Sequence, residues 1–275
     1  MASLRILITG AGSGLGKSFA KQFAQKGYQL VLVSLPGEGL IEYGEQLQKI
    51  YGIEVLSIES DISIPGACEA IFENIRLYDI QLNGLVNNAG ISYVYGFNKA
   101  EMALYNRVID LNIRSLVHLT YLFANQSNKH DNPWILNLGS LGGFFPLPRK
   151  AVYAASKSFV INFSRSLDIE LASVNIRVSV LCPGTVNTND RIRLTNKEGG
   201  WFARKSVMET DNVTSYAVKC LLRGDKIIIP GFFNNLFLVL DKILPEFLKR
   251  RLLESNFRKI HQNIKHGVTI GTGNM

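Results

Sequence analysis

Short aliphatic runs recur along the chain, and each is followed by a longer stretch with apolar residues at helical period. The runs fall at 4–9, 29–34, 54–60, 85–88, 134–139, 176–182 and 226–230. The helical stretches fall near 14–26, 38–50, 66–78, 98–127, 151–173 and 205–222. The strand runs are almost wholly apolar, as strands buried on both faces must be. Strand–helix alternation predicts an α/β fold: a single doubly wound domain with a seven-stranded parallel sheet and helices on both faces. Such sheets bind ligands at the carboxyl ends of their strands.

Composition narrows the class. The 275 residues are 47% hydrophobic and 19% charged, an ordinary globular balance. Cys68, Cys182 and Cys220 are too few and too far apart for a disulfide framework or a metal site, so no metal is expected and a reducing compartment is. The opening MASLRILITG runs directly into the first strand without a signal-peptide core, and no apolar run reaches bilayer length. A cytoplasmic protein is expected. The net charge of +8 fits an anionic ligand, and no basic module with interleaved aromatics suggests nucleic acid.

The first strand leads into TGAGSGLGKSFAKQFAQKG. Gly10, Gly14 and Gly16 let the backbone turn tightly and approach a pyrophosphate, which would rest on the free N–H groups at the start of the next helix. A second small-residue loop, LVNNAG, brings Asn88, Ala89 and Gly90 to the end of another strand. Asp61, before Ile62, could take an adenine amino group or cap the next helix. In AVYAASKSFV, Tyr153 and Lys157 share one helix face. The same spacing occurs at Tyr95 and Lys99, which read instead as a loop residue and a helix start with Asn98 as N-cap and Glu101 at N3.

Taken together, TGAGSGLG (9–16), DI (61–62), NNAG (87–90), DLN ending at Asn112, LGS ending at Ser140, YAASK (153–157) and PGTVNT (183–188) resemble the short-chain dehydrogenase/reductase family, in its order and spacing from residue 4 to about 190. The resemblance implies a Rossmann-type domain over 1–232, with a substrate loop at about 189–212, and a catalytic set of Asn112, Ser140, Tyr153 and Lys157. It separates Tyr153, thirteen residues after Ser140, from Tyr95. It also implies cofactor contacts from Gly10, Gly12, Ser13, Gly14, Leu15, Gly16, Ser34, Leu35, Asp61, Ile62, Asn88, Ala89, Gly90, Tyr153, Lys157, Pro183, Gly184, Val186 and Thr188. The expected reaction interconverts a ketone and a secondary alcohol. The alternative is a non-catalytic dinucleotide binder with a sensing or assembly role.

Two features set this chain apart. At the end of the second strand, LVLVSLPGEGL places Ser34 where a carboxylate would select NAD(H) and Leu35 where an arginine would accept the 2′-phosphate of NADP(H). Ser34 and the positive charge lean toward NADP(H). NAD(H) is the alternative, should Glu38 fold back past Pro36 and Gly37. The tail, 233–275, reads as two helices divided at Pro245, with basic residues outnumbering acidic ones seven to three between 234 and 266. It packs on the domain or a second subunit, or lies peripherally on an anionic membrane. By resemblance such tails accompany reductases of lipid- or steroid-like ketones, and a homodimer or homotetramer is expected through the helices at 98–127 and 151–173.

Overall fold

The computed structural model describes residues 4–126, 132–188, 193 and 207–243. β1 (Arg5–Thr9), β2 (Gln29–Ser34), β3 (Val55–Glu59), β4 (Gly84–Asn87), β5 (Trp134–Leu138), β6 (Arg177–Leu181) and the short β9 (Ile227–Ile228) form one sheet in the order β3-β2-β1-β4-β5-β6-β9. Every pairing is parallel. The chain runs outward from β1 to β3 and returns on the other side of β1 at β4. That reversal opens a crevice between the carboxyl ends of β1 and β4.

Helices cover both faces because the strands are apolar on both. One core layer joins Ile6, Ile8, Leu32 and Leu136 to Phe19 and Phe23 of α1 (Gly14–Ala24) and to Val213 and Leu221 of α7 (Thr210–Arg223). α2 (Leu40–Tyr51) adds Leu40 and Leu47 to the same layer. The other layer joins Leu7, Val31, Leu85 and Ile135 to Ile71 and Phe72 of α3 (Ala67–Leu77) and to Leu119 and Phe123 of α5 (Ser115–Gln126). α6 (Ala151–Leu171) packs along β6 and β5. β9 is shorter than the run 226–230 because Pro230 has no N–H to continue the ladder.

The helix expected over 98–127 is a composite. Phe97–Lys99 forms one 3-10 turn, after which Ala100 and Glu101 are extended. Only then does α4 (Met102–Ile109) begin, with Glu101 as its N-cap, so Asn98 and Glu101 form no capping box. A π-turn at Asp110–Arg114 joins α4 to α5. β7 (Val186–Asn187) and β8 (Met208–Glu209) pair in parallel beyond the main sheet. α8 (Phe232–Ile243) opens the tail. Most of the expected substrate loop, and the tail from residue 244, lie outside the described residues.

Candidate active site

The crevice is stitched shut at its base by Asn88. Its amide donates to the carbonyls of Thr9 (2.9 Å) and Gly10 (3.2 Å), while the Thr9 hydroxyl accepts from the N–H groups of Asn88 and Ala89 (both 3.1 Å). Gly10 and Gly14 are left-handed, at φ 64° and 52°, conformations that cost an L-residue strain. α1 starts at Gly14 with Ser13 as N-cap, no side-chain cap and no acid in its first turn, which leaves donors there for an anion. The residues therefore fit a dinucleotide: a left-handed glycine turn leading into a helix start whose N–H groups have no side-chain cap. Leu15 turns away to pack on the core. Thr188 lies against Gly14, so the segment after β6 reaches across the turn.

A Cβ on Gly16 would strike the Gly10 carbonyl and the Asn88 amide. Backbone cannot yield as a side chain can. Gly16→Ala is expected to destabilise the fold by about 2 kcal/mol or more and to weaken dinucleotide binding. Urea denaturation and a cofactor titration on the same sample read both effects.

On the adenosine side, Ser34 is buried and its hydroxyl donates to the Leu35 carbonyl at 3.2 Å. Leu35 is exposed. The Gly37 N–H donates to Glu59 at 3.1 Å, which holds the Pro36–Gly37 corner. Beyond that corner Glu38 does fold back. Its side chain and the Ser34 hydroxyl both lie where a Cβ on Gly12 would stand. Asp61 neither caps α3, which begins at Ala67 after a left-handed Gly66, nor stands free; it accepts from the N–H and hydroxyl of Ser63 at 3.0 and 2.6 Å. Ile62 is buried in the second core layer.

On the opposite side, the four expected catalytic residues come together. Asn112 sits inside the π-turn and is buried. Its amide exchanges hydrogen bonds with the backbone of Ile91 (2.9 and 3.0 Å) and donates to Ser156 at 3.1 Å. Lys157 is buried and donates to the carbonyl of Leu138, at the end of β5, at 2.7 Å. A Cβ on Gly90 would stand 3.0 Å from Asn112 Oδ1 and 3.4 Å from Lys157 Nζ, so the absence of a side chain at 90 lets those two groups flank one space. Ser140 follows β5, accepts from the Gly142 N–H at 3.0 Å, and is tied to the far segment by the Leu141 N–H on the Pro183 carbonyl at 2.9 Å. Tyr153 presents its ring 6.0 Å from Lys157 Nζ.

Burial pushes the Tyr153 phenol above its ordinary value, and a hydrogen bond with Ser140 opposes that rise. Burial also depresses the Lys157 ammonium, to about 8. Both groups are thus moved against ionisation by the same dry surroundings. Tyr95 and Lys99 make no comparable site. Tyr95 packs beside Tyr93 and Tyr105, with its N–H on the Arg149 carbonyl at 3.0 Å.

Two neighbours of the site were not foreseen. Asn234, near the start of α8, is buried, packs its amide on Gly184 and donates to Pro230 at 2.6 Å. Nothing in the local sequence signals that contact, which arises only when the tail closes on the sheet. Lys150, at the N-cap of α6, places its ammonium 5.7 Å from the Tyr153 ring centroid. Its position three residues before Tyr153 is one helical turn, a signal the sequence did carry.

A seven-stranded parallel sheet with a glycine turn at its reversal point, and Ser140, Tyr153 and Lys157 across the crevice, define a Rossmann-like, doubly wound α/β domain. The short chain dehydrogenase family model matches residues 5–199. The chain belongs to that family. It is 35% identical over 188 residues to the very-long-chain 3-oxoacyl-CoA reductase of Anas platyrhynchos, covering 66% of this chain and 59% of that relative. The chain thus spans about three-fifths of that relative's length. A short-chain dehydrogenase from Sphingobium yanoikuyae, solved with NADPH, superposes with a TM-score of 0.73 at 26% identity, over 98% of both chains. A 3-ketoacyl-(acyl-carrier-protein) reductase from Brucella melitensis, solved with NADH, gives 0.70 at 26% identity, over 82% of this chain and 96% of that one.

Proposed function

We propose that this chain interconverts a ketone and a secondary alcohol, with Tyr153 exchanging the proton. The observation that carries the reading is the convergence of the Tyr153 phenol, Ser140 and the buried Lys157 cation on the open end of the crevice. Ser140 would hydrogen-bond the substrate oxygen and favour its negative charge as it develops. Tyr153 would give that oxygen a proton in reduction and remove one in oxidation. Lys157 would favour the phenolate and hold the nicotinamide ribose. Asn112 would seat a water that returns the proton from solvent. Gly10, Gly14 and Gly16 would cradle the pyrophosphate, with Gly12 toward the adenosine ribose and Pro183, Gly184 and Val186 lining the nicotinamide side. The nicotinamide, when bound, supplies or accepts the hydride. A pure dinucleotide binder needs no desolvated lysine beside a tyrosine. Oxidation of reduced nicotinamide against a ketone panel tests the reading.

Glu38 supports NAD(H) as the cofactor, the alternative to the NADP(H) suggested by Ser34. A carboxylate over Gly12 repels a 2′-phosphate, and Leu35 offers no compensating charge. Wild type is expected to prefer NADH in kcat/KM, and Glu38→Arg to move that preference toward NADPH by about tenfold or more. Paired steady-state assays with both cofactors measure the change.

The rim beside Tyr153 is apolar, with Ile91, Tyr93, Tyr95 and Val152. Together with the 3-oxoacyl reductases among the relatives, it supports a hydrophobic ketone as substrate. Ile109, Tyr121, Phe159 and Ile169 stay exposed on α4, α5 and α6, which supports a homodimer or homotetramer paired through these helices. Phe232, Leu236 and Val239 are exposed along α8, and no described helix is long and apolar enough to cross a membrane. A second subunit and an anionic membrane surface both suit that stripe; co-sedimentation with anionic liposomes separates them.

A further inference from the structure

The loop that feeds α6 carries two adjacent cations, Arg149 and Lys150, and brings the second to the Tyr153 ring; the mechanism above uses neither. Lys150 lies 5.7 Å from the Tyr153 ring centroid. Burial alone depresses its ammonium, with no carboxylate acting on it. Arg149, one residue earlier, has a buried Nη1 without a hydrogen-bond partner. Its backbone is left-handed, at φ 67°, a strained conformation for an L-residue. The Tyr95 N–H on the Arg149 carbonyl, at 3.0 Å, fixes that corner against the apolar rim. Among the described residues, neither cation has an anionic partner.

A partly desolvated ammonium, with a buried guanidinium nitrogen lacking an acceptor on the preceding residue, is costly unless an anion meets them. Tyr153 alone does not require them, because Lys157 already stands by its ring. We propose that Lys150, backed by Arg149, forms an oxyanion subsite for the substrate, so that the ketone carries a carboxylate or phosphate a few bonds from its carbonyl. The distance limits the separation: the anion binds within reach of the ring whose phenol addresses the carbonyl oxygen. The apolar rim of Ile91, Tyr93 and Tyr95 then takes the rest of the molecule. The substrate class is an amphiphilic oxo acid or ketone phosphate rather than a uniformly apolar ketone. This inference rests on the ketone–alcohol reading.

The test compares matched pairs with saturating cofactor: a 3-oxo acid beside its methyl ester, and a hydroxyketone phosphate beside the free hydroxyketone. Wild type is expected to favour the charged member of at least one pair by about 100-fold in kcat/KM. Lys150→Met is expected to collapse that ratio to within about threefold of unity, and Lys150→Arg to keep most of it. Preference within the first pair identifies a carboxylate, and within the second a phosphate. Equal use of charged and neutral members by wild type overturns the subsite and leaves the oxidoreductase assignment standing. A ratio unchanged in Lys150→Met also overturns it. So does an equal loss on both members with a shifted pH profile, which would make Lys150 a positioning residue for Tyr153. No nicotinamide oxidation with any member, or with neutral ketones, overturns both readings.

Discussion

Tyr153→Phe is expected to lower kcat by about 1000-fold or more while leaving the cofactor dissociation constant within about threefold of wild type. The ring keeps its place among Ile91, Tyr93 and Val152, so the substitution removes one oxygen and little packing. The lost oxygen is the proton donor in the proposed reduction. Ser140 cannot replace it, since an aliphatic hydroxyl is a far weaker acid than a phenol and one of its acceptor sites is already taken by the Gly142 N–H. Ser140→Ala is expected to cost less, about 100-fold, because it removes a stabiliser of developing charge and not the proton itself. Cofactor fluorescence titration and single-turnover kinetics on both variants separate binding from chemistry. Equal activity of wild type and Tyr153→Phe would sink the assignment.

Lys157 gives the second large effect, and it has two signs. Lys157→Met is expected to reduce kcat/KM by about 1000-fold, yet to stabilise the fold at pH 7. Burial lowers the ammonium from the ordinary 10.5 to about 8, so the folded state binds fewer protons than the unfolded state between those values. Stability contributed by this residue therefore rises as pH climbs from about 8 to 10.5, and below about 8 the full penalty of a buried cation is present. Removing the charge relieves about 3 kcal/mol at pH 7, and losing the hydrogen bond to Leu138 returns about 1, for a net gain of about 2 kcal/mol. Denaturant melts at pH 7 and pH 10.5 measure it: the variant's advantage should shrink and reverse at the higher pH. In wild type, cofactor affinity should fall above about pH 8, where the free protein's Lys157 loses its proton.

The sheet, and the meeting of Asn112, Ser140, Tyr153 and Lys157 at one end of it, were legible because their signals are local in the chain. Each apolar run became a strand; TGAGSGLG, NNAG and LGS each stand at or just past a strand's carboxyl end, where parallel topology gathers them, and YAASK lies in the first turns of α6, whose Lys157 reaches the end of β5. Boundaries set by tertiary contact were less legible. Helical period runs unbroken from 98 to 127, and it conceals both the extended Ala100–Glu101 step and the π-turn. Asp61 preceded a helix closely enough to suggest a cap, but Ser63 captured its carboxylate first. Glu38 was ambiguous because the direction of a Pro-Gly corner depends on what anchors it, here Glu59 from the neighbouring strand. Asn234 was invisible, since its contact with Gly184 crosses fifty residues of chain.

The π-turn at Asp110–Arg114 has a mechanical consequence. One surplus residue rotates everything after it by roughly 100° relative to an uninterrupted α-helix. α4 is thereby phased to lie against α6, and α5 to lie against α3 and β4. A straight rod could present its apolar stripe to only one of those sets of neighbours. Asn112 occupies the splice between the two phases, its amide clasping the Ile91 backbone. Excising a single residue anywhere from 110 to 114 would mend the rod and throw one of its halves out of phase, so the defect in the helix is what lets it serve the core and the crevice together.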